Sequence, residues 1–275
     1  MNDPASVPAQ RLRVRYSKIG KVRFTSHRDV VRMWERALRR SGLPVAWSGG
    51  FSPRPLLSFG HALATGAESL AEYLDVSLLP GAGDQFGWSA GDLGEPSVVA
   101  RSSDALSAHL SRLLPEGVDV QVVAALRSGR GSLQQEVSSC SWKLEVLGLA
   151  AEELVSRVER LLAAPTALIE RERKGRSALD DLRPAVLALS VEPRAGDGRH
   201  EPTHPGGQWL DAELATSPRG VRPSELLEVL GPGVALSRAR RTHQWIERDG
   251  IRMEPLAVGG REAGAVAAHA RGRAS

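Results

Sequence analysis

Five arginines are spaced so that one side of a predicted helix carries a row of guanidinium groups. They follow one another mostly at intervals of four residues: Arg28, Arg32, Arg36, Arg39 and Arg40. Residues four apart lie one above the other on a helix, so their side chains form a ridge. Each guanidinium can bind phosphate oxygens in pairs, and each phosphate contact adds salt-dependent affinity. The spacing predicts a surface that follows a phosphate backbone, or alternatively a solvated helix face without a ligand.

A loop rich in glycine and proline, residues 49–55, joins two predicted strands. Its glycines allow a ligand to approach the backbone closely, and its prolines stiffen the loop. Phe51 and Arg54 then predict a site that stacks on a base or clamps a phosphate. The alternative is a rigid structural turn in which Phe51 fills the core.

Two histidines could do acid–base chemistry. His27 lies at the expected start of the arginine-bearing helix, where the helix dipole favours anions. Together with Ser58 and His61 across the sheet, it could form a metal-free site that cleaves a phosphodiester, one histidine acting as the general base. The alternative is a histidine that caps the helix or bonds within the core.

A third basic segment, residues 170–176, alternates acidic and basic side chains. On a strand, Arg171 and Arg173 share one face, and Lys174 and Arg176 flank the glycine turn that follows. The pattern predicts a hairpin that contacts phosphate or RNA, or a cross-strand ladder of ion pairs. Asp180 and the carboxylates near it could hold Mg²⁺, but adjacent carboxylates on a strand point to opposite faces, so we predict no metal site.

Charge is distributed unevenly between two neighbouring segments. Residues 11–60 carry twelve Lys and Arg against two acids, a net charge of +10. Residues 61–125 carry two Arg against nine acids, a net charge of −7, whereas the whole chain has a net charge of only +4. A concentrated cationic surface attracts polyanions, of which nucleic acid is the commonest.

The elements that must position these residues can be read from periodicity. Residues 11–17 alternate apolar and basic side chains, which is typical of a half-buried strand, and residues 22–24 continue or pair with it. A helix is expected from Ser26 to about Ser41, with Ser26 and Asp29 forming its cap. Its buried stripe is predicted to consist of Val30, Met33, Trp34, Ala37 and Leu38. Further strands are predicted over 44–48, 56–63 and 71–79, then a helix over 102–117 and a strand over 118–126.

The second part of the chain repeats this order of strands and helices without repeating its letters. We therefore predict an α+β fold made of two tandem ferredoxin-like α/β sandwich units. The predicted boundaries are a disordered lead (1–10), a first unit (11–126), a linker (127–135), a second unit (136–255) and a disordered tail (256–275).

Composition excludes several classes of protein. The single cysteine, Cys140, excludes an intramolecular disulfide and any iron–sulfur or zinc cluster built from cysteines of this chain. No 18 consecutive apolar residues occur, so we expect no membrane span. The first ten residues lack the pattern of a secretory signal, and a cytoplasmic location is expected.

Two segments carry a resemblance to a known family. Residues 13–78, from RVRYSKIG to AEYLDVSL, and residues 169–186, IERERKGRSALDDLRPAV, resemble the two signatures of the bacterial radical-SAM-linked family. Members of that family are fused to the C-terminus of cobalamin-binding-type radical SAM proteins or occur as separate chains, often encoded near ribonuclease E/G and ribosomal proteins. The chain has no CxxxCxxC motif, so it cannot itself be the radical enzyme.

Together these features predict an RNA-binding accessory protein. It would present a basic cleft to structured RNA (rRNA or tRNA) and act with a radical SAM RNA-modifying enzyme or a ribonuclease. Two alternatives remain open: a docking module for a radical SAM partner without RNA contact, and a metal-independent endoribonuclease using His27 or His61. We expect no cofactor. The aromatic content of 4% favours recognition of backbone or shape over stacking on bases.

Overall fold

The computed structural model describes residues 10–80, 82, 96–126, 131–173, 176–192, 204–218, 220–248 and 250–256. The first half contains β1 (Arg11–Lys18), a 3-10 helix (Gly20–Phe24), α1 (His27–Arg40), β2 (Leu57–Phe59), β3 (Glu68–Ser77), α2 (Pro96–Leu113) and β4 (Val118–Leu126). The second half contains α3 (Leu133–Glu136), β5 (Val137–Leu147), α4 (Ala151–Ala163), β6 (Leu168–Arg173), β7 (Arg176–Asp181), a 3-10 helix (Arg183–Ala185), β8 (Val186–Val191), β9 (Gln208–Ala215), α5 (Pro223–Leu230), β10 (Ala235–Arg248) and β11 (Ile251–Met253).

Nine strands from both halves form one mixed, mostly antiparallel sheet. Its order is β4-β1-β3-β10-β5-β9-β8, with β2 paired to β3 and β11 to β10. In the first half the strand order is β4-β1-β3-β2, and in the second half it is β10-β5-β9-β8. The neighbouring strands within each of these two sets are antiparallel. The halves meet where β10 runs parallel to β3, with Arg240 opposite Glu68 and Arg241 opposite Ser69. The fold is therefore mixed α and β, and its sheet is continuous across the halves.

Two hydrophobic cores lie against this sheet. In the first half, α1 and α2 pack on β1, β3 and β4, and Trp34 and Leu110 are among the fully buried side chains. In the second half, α4 and α5 pack on β5, β8 and β9. Leu63 and Ala67 come from the first half of the chain but pack in the second core, so the segment before β3 joins the two.

The helix at 27–40 and its buried stripe are confirmed, with Met33 only half-buried. Strand β1 differs from the expectation of a half-buried strand because both of its faces are covered. Leu12, Val14 and Tyr16 enter the first core, while Arg13 and Arg15 are buried on the opposite face beneath α3 and the segment that follows β11.

Three strand predictions were wrong in extent. Residues 22–24 belong to a 3-10 helix that begins at Gly20, whose φ is +71°. Lys18 Nζ donates hydrogen bonds to the carbonyls of Arg23 and Thr25 at the end of this helix. Residues 44–48 form only isolated bridges at Val45 and Trp47. The predicted strand 56–63 is reduced to Leu57–Phe59, because the chain then turns to enter the second core.

Candidate nucleic-acid interface

A side-chain cap fixes where α1 begins. Ser26 Oγ accepts a hydrogen bond from the Asp29 backbone N–H at 3.2 Å and donates to Asp29 Oδ2 at 2.7 Å. The hydrogen bond from Ser26 lowers the pKa of Asp29. At the other end, Gly42 leaves the helix with a φ of +72°, a conformation that other residues rarely adopt. The helix therefore has fixed ends, and its side chains have a fixed register.

The register divides α1 into a buried face and a basic face. Trp34 and Ala37 are completely buried against the first core. The opposite face carries five exposed arginines, which we call the arginine ridge: Arg28, Arg32, Arg36, Arg39 and Arg40. At 1.5 Å per residue the ridge extends over about 18 Å along the helix axis. The sequence prediction that these residues share one exposed face is confirmed.

The arginine ridge keeps most of its charge unpaired. Within the described ranges its single ion pair joins Arg32 Nη1 to Asp29 Oδ1 at 3.6 Å, and both side chains are about half exposed. An exposed pair of this kind contributes little free energy and is easily exchanged for another anion. The ridge is therefore available to a polyanionic ligand.

The loop between Trp47 and Pro55 lies beside the end of the ridge. The loop is closed by two hydrogen bonds, from Ser48 N to Arg54 O at 2.8 Å and from Arg54 N to Ser48 Oγ at 3.0 Å. Arg39 connects it to α1, because Arg39 Nη2 donates to Pro53 O at 3.2 Å and its guanidinium lies 4.8 Å from the Trp47 ring centre. Ridge and loop thus form one surface.

The loop presents its two predicted ligand-binding side chains to solvent. Phe51 is fully exposed at the loop tip, and Arg54 is exposed as well. The alternative in which Phe51 fills the core is wrong. Trp47, which the sequence placed on a strand, is also exposed. Residues two apart on a strand share one face, so strand periodicity would have placed Trp47 in the core with Val45, and no local signal identified its exposure.

His27 and His61 line one small cavity. Its volume of about 10 Å³ is close to that of a single water, and Lys18 and Glu72 also border it. Burial, followed by the charge of the nearby Arg241, lowers the pKa of His61. Ser58 borders a different cavity, on the opposite side of β2, so the structure does not bring the three residues of the possible cleavage site together.

The basic segment 170–176 forms the predicted hairpin, β6 paired with β7 and separate from the main sheet. Arg171 is bound to Glu225 of α5, and its Nη1 lies 3.6 Å from Asp180 Oδ2. This arrangement corresponds to the ion-pair alternative for Arg171. Lys174 lies outside the described residues, as do the side chains of Arg173 and Arg176.

Two arginines of β1 are neutralised in the interior. Arg13 Nε and Nη2 bind the two oxygens of Asp75 at 2.7 and 2.9 Å, and Arg15 Nη1 binds Glu254 at 2.5 Å. Asp75, an acid of the negative segment 61–125, thus neutralises a buried arginine of β1 rather than the arginine ridge.

Glu68 gathers the densest group of charges, at the join between the halves. It is completely buried and accepts from Arg238 Nη2 at 2.9 Å and Arg240 Nη2 at 2.8 Å. The Gly20 N–H donates to it at 3.0 Å, and Arg23 lies 3.4 Å away. We call these residues the Glu68 cluster. Although burial alone would raise the pKa of Glu68, the arginine hydrogen bonds lower it to about 2. Sequence reasoning missed this cluster because Arg240 lies 172 residues from Glu68 in the chain.

No three His, Cys, Asp or Glu side chains of the described ranges gather in a way that could hold a metal ion. Asp181, one of the carboxylates considered for Mg²⁺, accepts from the backbone N–H groups of Ala167 and Arg183 at 2.7 and 3.0 Å. These hydrogen bonds lower its pKa and give it a structural role at the base of the hairpin.

A family model matches residues 11–84 and 88–223, which is most of the chain. Its description is "Uncharacterized protein conserved in bacteria (DUF2344)". The chain belongs to this family. The match includes the arginine ridge and the loop beside it, as well as the β6–β7 hairpin. The expected association of the family with radical SAM enzymes stays a prediction.

Solved structures resemble the fold at low sequence identity. The chain is similar to a chain in the crystal structure of a Cbf5-Nop10-Gar1 complex, with 9% identity and a TM-score of 0.43, covering 85% of this chain and 48% of that one. It is also similar to a chain of the archaeal box H/ACA sRNP Nop10-Cbf5 complex, with 9% identity and a TM-score of 0.40, covering 85% and 47%. The protein thus spans about half the length of the solved chains it matches. No curated protein matches it in sequence.

None of the helices in the described ranges is both long and apolar enough to cross a membrane.

Proposed function

We propose that this protein binds RNA through the arginine ridge of α1 and the adjoining loop, as an accessory protein. The observation that carries the proposal is that five arginines on one helix face are all exposed and nearly unpaired. A row of guanidinium groups about 18 Å long matches the geometry of a polyphosphate backbone. An RNA strand would neutralise the ridge and release its counterions.

The treatment of charge elsewhere in the chain supports this proposal. Arg13, Arg15 and Arg241 are buried and paired with carboxylates, so the chain contains enough acids to neutralise arginines where neutrality is needed. On α1 the only acids are Asp29, which is bound to Ser26, and Glu35. The remaining excess of positive charge raises the local concentration of anionic ligands.

The finer parts of the proposal concern architecture and partners. The strand order in each half is that of a ferredoxin-like unit, and we infer two such units joined through β3 and β10. The resemblance noted in the sequence adds a radical SAM RNA-modifying enzyme or a ribonuclease as the partner with which the bound RNA would be shared.

The test is a filter-binding titration against total cellular RNA at low and near-physiological salt, in EDTA. The variant Arg32→Glu/Arg36→Glu removes two charges from the middle of the ridge and adds two of opposite sign. The matched control, Arg112→Glu/Arg160→Glu, makes the same change in net charge at exposed positions on α2 and α4. We expect wild type and control to bind with a strong dependence on salt, and the ridge variant to lose at least tenfold in affinity.

Equal affinities of the ridge variant and the control would disprove a specific role of the ridge. Absence of RNA binding by wild type would leave the protein-docking module as the better explanation of the basic surface. New RNA fragments in EDTA that disappear in His27→Ala would favour the endoribonuclease alternative.

A further inference from the structure

Exposed aromatic side chains lie at both ends of the arginine ridge. Phe24 precedes α1 and is 62% exposed, while Trp47 and Phe51 follow it and are 37% and 109% exposed. Only four Phe and two Tyr occur in the chain, so the placement of two phenylalanines at this surface is not explained by abundance. Exposing a large apolar ring to water costs free energy, and such rings mark binding surfaces when they are grouped.

Two of these rings already carry a guanidinium on one face. Arg23 lies 4.6 Å from the Phe24 ring centre, and Arg39 lies 4.8 Å from that of Trp47. The contacts hold the rings in place beside positive charges. No ring contact involves Phe51 in the described part of the chain, and its full exposure leaves both of its faces open. Phe51 therefore offers a free stacking platform next to a cationic surface.

A cavity of about 380 Å³ opens at the base of the same loop. Six of its nine lining residues are polar or charged, with Arg54 and Asp75 among them, and the other three are Pro55, Leu56 and Leu57. Leu56 is 44% exposed, although it follows a buried proline. A cleft of this size, with both polar and apolar groups in its wall, is large enough for a nucleoside.

We infer that the ligand of this surface is an unpaired segment of RNA, with a base stacked on Phe51 and a neighbouring nucleotide in the cavity beneath the loop. Bases within a duplex are stacked on each other and have no free face, whereas unpaired bases can stack on aromatic and guanidinium groups. The inference rests on the proposed function and names the class of RNA that it requires. It also reverses the expectation from composition, because the few aromatic side chains are placed where stacking is possible.

The loop is ordered for this role before any ligand arrives. The Ser48–Arg54 hydrogen bonds close it, and the Arg39–Pro53 bond fixes it against α1. A platform that is already in place loses little conformational entropy on binding. The arginine ridge then holds the phosphates of the strand that leads to the loop.

The experiment compares a fluorescently labelled single-stranded RNA with the duplex that it forms with its complement, by anisotropy titration. The variants are Phe51→Ala, Phe51→Trp and, as the matched control, Leu187→Ala, which truncates another exposed apolar side chain far along the chain on β8. We expect wild type to prefer the single strand. Phe51→Ala should weaken single-strand binding about tenfold, as is usual for loss of one stacked base, and leave duplex binding unchanged. Phe51→Trp and Leu187→Ala should bind as wild type does.

The outcomes separate this inference from the proposed function. If both RNAs bind equally and Phe51→Ala has no effect, while Arg32→Glu/Arg36→Glu still abolishes binding, the inference is overturned and the proposed function stands. If neither RNA binds to wild type, both fail. Because Phe51 makes no core contact, circular dichroism and the urea midpoint should show that Phe51→Ala folds as wild type does.

Discussion

Arginine has opposite surroundings in the arginine ridge and in the Glu68 cluster. In the cluster, Arg238 and Arg240 converge on one completely buried carboxylate where the two halves of the sheet meet. On the ridge, five arginines face solvent, and the described part of the chain gives them one ion pair, between Arg32 and Asp29 at 3.6 Å. The cluster uses arginine to join two strands, and the ridge leaves arginine free for a ligand. The surroundings of the arginines in a region, rather than how many arginines it contains, therefore indicate their role.

The largest effect that distinguishes the two regions should come from Glu68→Gln. The substitution keeps the shape of the side chain but removes the negative charge, so Arg238 and Arg240 lose their shared counter-charge in a largely buried place. We expect the free energy of unfolding in urea to fall by about 3 kcal/mol. Glu35→Gln on α1 is the matched control and should change the free energy of unfolding by less than about 0.5 kcal/mol. Similar values for the two variants would remove the distinction between the regions.

The same comparison should depend on pH. The pKa of Glu68 in the folded protein, about 2, lies below its unfolded value of about 4.5, so its stabilisation is complete above pH 4.5. It is lost as the pH falls from about 4.5 towards 2. The difference in stability between wild type and Glu68→Gln should accordingly shrink when urea unfolding is repeated at decreasing pH. A difference that stayed constant down to pH 3 would contradict an ionised Glu68.

A smaller effect is expected at the cap that fixes the register of the ridge. Ser26→Ala removes the hydrogen bond to the Asp29 N–H, and loss of such a cap lowers stability by about 1 kcal/mol. Thermal unfolding would measure it. Ser26→Asp, which can still accept from the same N–H, should restore most of the loss; if it does not, the cap is not what positions α1.

The smallest change in stability should follow truncation of a ridge arginine. Arg36→Ala should alter the free energy of unfolding by no more than about 0.5 kcal/mol, because its guanidinium is exposed. Its effect should instead appear in RNA binding, as a salt dependence reduced by roughly one unit of slope. Arg240→Ala provides the contrast, with a clear loss of stability. A large loss of stability for Arg36→Ala would show that the ridge is structural.

Local patterns in the sequence predicted α1 well. Its cap at Ser26, its end before Gly42 and its division into a Trp34 face and an arginine face all depend on residues within one or two turns of each other. The exposure of Arg54 followed from the same local reasoning about a loop stiffened by prolines, whereas the sequence left Phe51 open between a stacking site and a place in the core.

Features that depend on distant partners could not be predicted in this way. The alternation in β1 suggested a solvent-facing row of arginines, but Arg13 is covered through Asp75, 62 residues away, and Glu136, 123 residues away. Likewise, Glu68 is an ordinary acid in the sequence until β10 is brought beside β3. The prediction of a strand at residues 22–24 was wrong for a local reason. The 3-10 helix that forms there buries Val22 just as a strand would, so the apolar residue does not distinguish the two.

The position of β10 determines when the protein can finish folding. This strand lies between β3 and β5, which a ribosome makes about a hundred residues or more before residues 235–248. Until β10 emerges, the strands β3 and β5 each have an open edge, and Glu68 lacks its two partners on β10, Arg238 and Arg240. Pairings across such long sequence separations form slowly. The edge of β3 in the first half therefore stays uncovered by β10 after that half has been synthesised, and the open edges of β3 and β5 are covered only when this one late segment pairs with both.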